Sequence, residues 1–475
     1  MKLLLVNPGQ ARALESEAGA PVEEGSGAYP PLGLLHLQAA VEAGGRHRAD
    51  LLDACVSGPL ERALAEHRRE GAPDLVGITA LTPNLLGVVE TVQAVRHAFP
   101  ATRVILGGPH VDLFPAETAA LDGVDLVLQG EAEHSLPLLL DQLEEGTAPL
   151  AVPGLHTRHG AVGVPCAHLW SDDLDALPMP DRSRLEVTAY RGIAGSDQVF
   201  ATMVTSRGCP FRCTFCSTPR SSYRFRSVAS VVEEMERCAR LGVRHVYFLD
   251  DTFPTSGARA DELGEALARR RDLPSWSCRT AAAGLTEERL RLMKRAGCTR
   301  VQIGVETCTD EGLKVLGKRT NVAEVRETFA AARRVGMTTV AYFMVGLPTE
   351  QSRDDFRRLA AFARSLDPTF AMFNVLTLYP GTALFHRAVE RGMVAADLWQ
   401  RFAARPSPSF VPPVWDEHFT REELFALQSR VYRSFYLRPG KVLRLALSGG
   451  GLGRKLKAGL RLLASSWTRG GAEGG

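Results

Sequence analysis

The chain has 475 residues, about three times the length of a typical domain, so two or three domains are expected. A content of 45% hydrophobic and 23% charged residues excludes a disordered or collagen-like chain. With 56 Lys and Arg against 54 Asp and Glu, the net charge of +2 gives no reason to expect bulk nucleic-acid binding.

No apolar run reaches the roughly 18–20 residues needed to cross a bilayer. The opening Met1-Lys2-Leu3-Leu4-Leu5-Val6-Asn7-Pro8 is too short an apolar stretch for a signal peptide and is expected to be the first strand of a cytoplasmic protein. Strands are predicted at Leu3–Val6, Ala49–Leu52, Leu75–Thr79, Val104–Leu106 and Leu126–Leu128. Between them apolar residues recur at helical spacing, as in Leu86, Val89, Val92 and Val95. Alternating strands and helices predict a parallel, doubly wound (Rossmann-like) sheet over residues 1–145, with ligands at the carboxyl ends of its strands. Residues 146–195, punctuated by Pro149, Pro153, Pro165, Pro178 and Pro180, are expected to be a linker.

A second strand–helix series follows: Ala201–Thr205, Val243–Leu249, Ser275–Arg279, Val301–Val305, Thr339–Val345 and Ala371–Thr377. Six such units over 196–397 predict a partial (βα)6 barrel, which places its chemistry at the strand C-termini. From 398 to 475 the pattern is helical, and from Arg430 onward ten Lys or Arg stand against one acid, Glu473. The mixture of cations and apolar residues around Arg438, Lys441, Arg444, Arg454, Lys455 and Lys457 suits weak contact with an anionic membrane as well as a solvated helix.

Six of the nine cysteines (Cys55, Cys166, Cys238, Cys278, Cys298, Cys308) are scattered, as buried reduced cysteines usually are. The other three, Cys209, Cys213 and Cys216, fall within eight residues after the first strand of the second series. Three thiolates on one short loop can hold three irons of a cubane and leave a fourth open. Zinc would want a fourth ligand, and none lies nearby in sequence. Chance clustering is the remaining reading.

The segment Cys209-Pro210-Phe211-Arg212-Cys213-Thr214-Phe215-Cys216 resembles the cluster loop of the radical S-adenosylmethionine (SAM) superfamily, over residues of about 198–395. That resemblance implies a 4Fe–4S cluster on the three cysteines and SAM contacts from Phe215, from Asp250 and Asp251, from Glu306, and from Val345 and Gly346. Asp250 and Asp251 stand in for the family's Gly-Gly-Glu, which is absent, and capping by Asp251 or Thr252 is the competing reading. In the first domain, Thr79-Ala80-Leu81 and Gly107-Gly108, with Gly130-Glu131 beyond, resemble the cobalamin-binding domain of methyltransferases and mutases. The family's axial-histidine motif is matched only by Asp53-Ala54-Cys55-Val56-Ser57-Gly58, in which Cys55 replaces histidine. Cobalamin is therefore expected without a protein histidine on cobalt, and His110 is expected to be a polar loop residue.

Together the two resemblances imply a cobalamin-dependent radical SAM enzyme of the group of class B methyltransferases and the anaerobic magnesium-porphyrin cyclase. They imply hydrogen abstraction from an unactivated carbon by a 5′-deoxyadenosyl radical and methylation of a small natural-product or lipid-like substrate. A ferredoxin or flavodoxin would supply electrons. Cyclisation or oxidation without methyl transfer is the alternative, and a non-catalytic cobalamin sensor is the alternative of another class.

Overall fold

The computed structural model describes residues 1–9, 14, 28–147, 152–162, 170–190, 199–217, 222–253 and 257–447. Cys166 and the part of the basic tail beyond Leu447, with Arg454, Lys455 and Lys457, lie outside the described residues. The chain divides into two compact units.

The first unit comprises the described residues of Met1–Glu15, Pro30–Leu185 and Val394–Pro412. Its strands are β1 (Lys2–Asn7), β2 (Arg48–Asp53), β3 (Leu75–Thr79), β4 (Arg103–Gly107), β5 (Leu126–Leu128), β6 (Leu155–Thr157) and β7 (Gly160–Ala161). They form one sheet in the order β2-β1-β3-β4-β5-β6-β7. The first five are parallel, with Leu5 opposite Leu51 and Val6 opposite Ile78. Leu3 to Val6 are all buried, as an unbroken apolar run must be when helices cover both faces of a sheet. Each such side chain contributes roughly 1.5–3 kcal/mol of burial.

Two sequence expectations need correction here. The segment 146–195 is not all linker: β6 and β7 extend the sheet antiparallel from β5, with Leu128 opposite Leu155. These strands have three and two residues, too short to show an alternation among the surrounding prolines. Helix Leu398–Ala404, expected with the C-terminal region, belongs to this first unit, where Trp399, Phe402 and Phe410 pack together.

The second unit holds β8 (Phe200–Met203), β9 (Ser206–Arg207), β10 (Arg224–Phe225), β11 (His245–Phe248), β12 (Ser275–Thr280), β13 (Cys298–Glu306), β14 (Thr338–Val345) and β15 (Phe370–Val375). Six of these make a parallel sheet in the order β15-β14-β13-β12-β11-β8, and β9 pairs antiparallel with β10. Alternate residues such as Met203, Phe248, Cys278, Ile303 and Phe343 pack under the helices. Their neighbours Thr202, Tyr247, Arg279, Gln302 and Tyr342 therefore face the inside of the open barrel.

An open barrel leaves two edges, and exposed edges invite unwanted pairing. Helix Arg421–Tyr436, started by a Thr420/Glu423 capping box, covers the edge at β15. Tyr432 Oη accepts from Phe373 N at 3.0 Å, Tyr436 Oη lies 2.9 Å from both Ala371 N and O, and Gln428 Nε2 donates to Phe373 O at 2.6 Å. Side chains thus replace the missing seventh strand.

Candidate functional site

In the second unit the cysteine loop is fixed at both ends. Thr205 donates through its backbone N (2.7 Å) and Oγ1 (2.6 Å), and Ser206 through Oγ (2.6 Å), to the carboxylate of Asp250 beyond β11. Asp250 is fully buried and burial pushes its pKa up to about 6, against the pull of those three donors. In the structure the Asp250 oxygens are taken up by the loop. Asp251 reaches solvent and accepts from the Gly208 backbone; partial burial of its carboxyl raises its pKa, while Gly208 and Arg279 oppose the rise. It is the carboxylate of the pair that stays available.

The loop between β9 and β10 carries the three cysteines and half-buried Phe215. Thr214 N and Oγ1 each sit 3.0 Å from a carbonyl of the next pinning segment, Leu316 O and Val315 O. Gly317 has φ +68°, and a Cβ there would lie 2.9 Å from Arg212 O, so only glycine lets that segment approach the loop. The following Lys318 reaches Glu306 Oε1 at 3.0 Å. Glu306 itself sits at φ +66°, and a Cβ on Gly304 would fall 2.4 Å from its Oε1. The ammonium group also faces Cys213 and Cys209: burial drives the Cys213 thiol up to about 11 and raises Cys209, and Lys318 pulls both down.

Among the described residues no three His, Cys, Asp or Glu side chains converge on one ion. In a cubane each thiolate takes a different iron. Lys318 places one cation beside Cys213 and Cys209.

Val345 ends β14 and Gly346 follows it. Both are buried; the Val345 side chain packs in the helix-side core, and its carbonyl accepts from Leu376 N at 2.8 Å. Gly346 (φ +82°) donates to Glu350 Oε2 at 2.7 Å, as Leu347 N does at 3.0 Å. These residues shape the turn, while Tyr342 and Met344 face the barrel interior.

In the first unit, Thr79, Leu81, Gly107, Gly108, Gly130 and Glu131 gather at the carboxyl ends of three adjacent strands, β3, β4 and β5. Gly108 has φ +102°, and a Cβ would stand 2.9 Å from Ala80 O and 3.0 Å from Thr79 Oγ1. Leu81 is an exposed apolar side chain at this edge. His110 is buried with Nδ1 3.0 Å from Thr82 Oγ1; burial lowers its pKa to about 4, and its Nε2 has no partner among the described residues. Asn84 Oδ1 is likewise buried and unpartnered among the described residues. An apolar ledge, a glycine-lined edge and orphaned polar atoms fit a bulky ligand with polar appendages.

Asp53, Cys55 and Gly58 stand apart, at the end of the outermost strand β2. Asn7 Nδ2 donates to Asp53 Oδ1 at 2.8 Å, and Cys55 Sγ donates to Pro8 O at 3.7 Å. Cys55 thus ties the end of β2 to the end of β1.

Sequence reasoning missed Lys318, Gly304, Gly317 and Arg279. A lone lysine or arginine gives no spacing signal, and only the turn glycine Gly317 beside Lys318 could have suggested a close approach.

Residues 203–363 match the radical SAM superfamily, and residues 21–140 match the B12 binding domain. The chain is therefore a radical SAM enzyme with a B12-binding domain ahead of its radical SAM domain, and its cofactors are a 4Fe–4S cluster, SAM and cobalamin. It is 29% identical over 451 residues to an uncharacterized methyltransferase of Pyrococcus horikoshii, covering 93% of this chain and 94% of that one. It is 27% identical to the anaerobic magnesium-protoporphyrin IX monomethyl ester cyclase of Cereibacter sphaeroides, covering 92% and 71% of the two chains. A hopanoid C-3 methylase of Methylococcus capsulatus is 29% identical over 64% of this chain and 58% of its own. The fold matches the solved radical SAM methyltransferase TsrM from Kitasatospora setae, with a TM-score of 0.67, 23% identity and 82% and 76% coverage. It also matches the cobalamin-dependent radical enzyme OxsB, with a TM-score of 0.73, 15% identity and 98% and 71% coverage. Among the described residues no helix is long and apolar enough to cross a membrane.

Proposed function

We propose that this enzyme methylates an unactivated carbon of a small natural-product or lipid-like substrate. The observation that carries the reading is the three-cysteine loop pinned at the end of β8 in a chain that also bears a B12-binding domain. Two of the relatives above are named as methyltransferases or methylases, which supports methyl transfer over the alternatives.

When bound, the reduced cluster supplies the electron that cleaves SAM, and cobalamin supplies the methyl group. The chain's own residues prepare that chemistry. Cys209, Cys213 and Cys216 are the cluster ligands, and Asp250 holds their loop through Thr205 and Ser206. Lys318 balances thiolate charge and offers a cation to the SAM carboxylate, while Glu306 orients that ammonium. Asp251 offers an oxygen to the SAM amino group. Gly107, Gly108 and the Leu81 ledge line the cobalamin edge. A ferredoxin- or flavodoxin-type protein is the electron donor of this proposal.

The test is anaerobic reconstitution with iron, sulfide and cobalamin, followed by product analysis with methyl-labelled SAM. S-adenosylhomocysteine and 5′-deoxyadenosine forming together support methylation. The cyclase relative supports a second reading, radical cyclisation without methyl transfer, and 5′-deoxyadenosine alone would favour it.

A further inference from the structure

One charged side chain of the barrel interior is used by none of the roles above. Arg279 is the penultimate residue of β12, opposite Gln302 on β13, and its alternation places it on the inner face. It is exposed to solvent although aromatic residues surround it. Its Nη2 lies 3.4 Å from Tyr247 Oη, and its guanidinium carbon stands 6.0 Å from the centre of the Tyr342 ring. Tyr29 packs on Tyr247 at 5.8 Å between ring centres and completes the aromatic wall. Tyr342 is itself held by Gln302 Oε1, 2.5 Å from its hydroxyl.

Among the described residues no carboxylate makes an ion pair with Arg279. The acid that acts on it from a distance, Asp251, is held by the Gly208 backbone. The sulfurs already have a cation, since Lys318 is the basic residue that faces Cys209 and Cys213. A guanidinium stays charged at any physiological pH, and its flat fork matches a carboxylate or phosphate with two parallel hydrogen bonds. Tyrosines around it supply flat, apolar area and hydroxyls to the body of the same ligand.

We propose that Arg279, walled by Tyr247, Tyr342 and Tyr29, is the subsite that receives an oxyanion of the substrate, so that the enzyme acts on a carboxylate- or phosphate-bearing molecule with flat apolar surface. The proposal rests on the reading of this barrel as the catalytic one. It narrows the substrate class from lipid-like molecules in general to anionic ones. The neutral skeleton of a hydrocarbon lipid would leave the guanidinium without a counter-charge.

The test uses the reconstituted full-length holoenzyme and three probes of one shape: benzoate, phenyl phosphate and neutral benzamide, with binding read by calorimetry. Benzoate or phenyl phosphate is expected to bind, the stronger of the two identifying the oxyanion, with benzamide at least tenfold weaker. Arg279→Gln should weaken the anionic probe at least tenfold, and Arg279→Lys, which keeps the charge but loses the fork, should fall between. Iron content, cobalamin content and SAM affinity of both variants should match the parent. Equal binding of benzamide, unchanged anion binding in Arg279→Gln, or a loss of SAM affinity in place of anion affinity would each overturn the subsite. A holoenzyme that makes no S-adenosylhomocysteine but shows Arg279-dependent anion binding removes the methyltransferase reading and leaves the subsite standing.

Discussion

Lys318 Nζ lies 3.0 Å from Glu306 Oε1, with the two side chains only 11% and 9% exposed, and the same ammonium group faces the Cys213 thiol. A single cation therefore serves two partners, one carboxylate and one cluster ligand. Removing it strands a buried carboxylate, which typically costs about 3–5 kcal/mol. Lys318→Met is expected to lower the melting temperature clearly and to reduce iron loading. Adding Glu306→Gln should restore most of the stability without restoring SAM affinity. Calorimetric melting, iron and sulfide assays and SAM titration together check this. Full recovery of SAM affinity in the double variant would show that the lysine acts on stability alone.

Two glycines at strand ends of the first unit separate structural need from loop freedom. Gly108 and Gly58 both have positive φ, +102° and +78°. A Cβ on Gly108 would meet Ala80 O at 2.9 Å, whereas one on Gly58 would meet nothing within 4 Å. Gly108→Ala should therefore cost strain and displace the β3 end, about 2–3 kcal/mol with at least tenfold weaker cobalamin binding. Gly58→Ala should cost about 1 kcal/mol and leave cobalamin affinity unchanged. Corrinoid absorbance after gel filtration compares the two directly.

The strands of both units were legible because their apolar runs are long and separated by helical spacing, as β1, β3, β13 and β14 show. The short antiparallel strands β6 and β7 were not, since two or three residues carry no period. At the sites, the groups that carry a pattern in sequence are the three cysteines and the Gly107-Gly108 pair. The loop-holding role of Asp250 was not legible, because a carboxylate at a strand end looks the same in sequence whether it faces a ligand or accepts three hydrogen bonds from a neighbouring loop. That the Val345 side chain alternates toward the core was likewise not legible from its place in the strand. Lys318 and Arg279 owe their surroundings to strands far away in sequence, which no local pattern encodes.

Cysteine roles divide just as sharply. Cys55 Sγ sits 3.7 Å from Pro8 O at the end of β2, away from the Thr79 and Gly107 strand ends. Cys55→Ser should keep cobalamin binding within about twofold and melt within about 1 kcal/mol of the parent. Cys213→Ser should lose the 4Fe–4S absorbance and all SAM cleavage while retaining cobalamin. Loss of corrinoid from Cys55→Ser would restore that residue as a cobalamin ligand.

Glu350 sets a pH dependence that can be measured. Its buried carboxyl accepts from Gly346 N and Leu347 N through one oxygen, and burial raises its pKa from 4.5 to about 7 despite those two donors. A raised folded-state pKa means that the folded chain holds a proton that the unfolded chain releases above pH 4.5. Stability from this residue is thus complete below pH 4.5, falls as pH rises toward 7, and changes no further above that. The shift corresponds to at most about 3 kcal/mol. Glu350→Gln keeps a carbonyl oxygen for both backbone donors and has no proton to lose. Urea unfolding followed from pH 5 to pH 8 should therefore show a smaller fall in midpoint for Glu350→Gln than for the parent, and the variant should be the more stable at pH 8. Parallel curves would mean that Glu350 stays ionised throughout, with its charge held by the Gly346 turn.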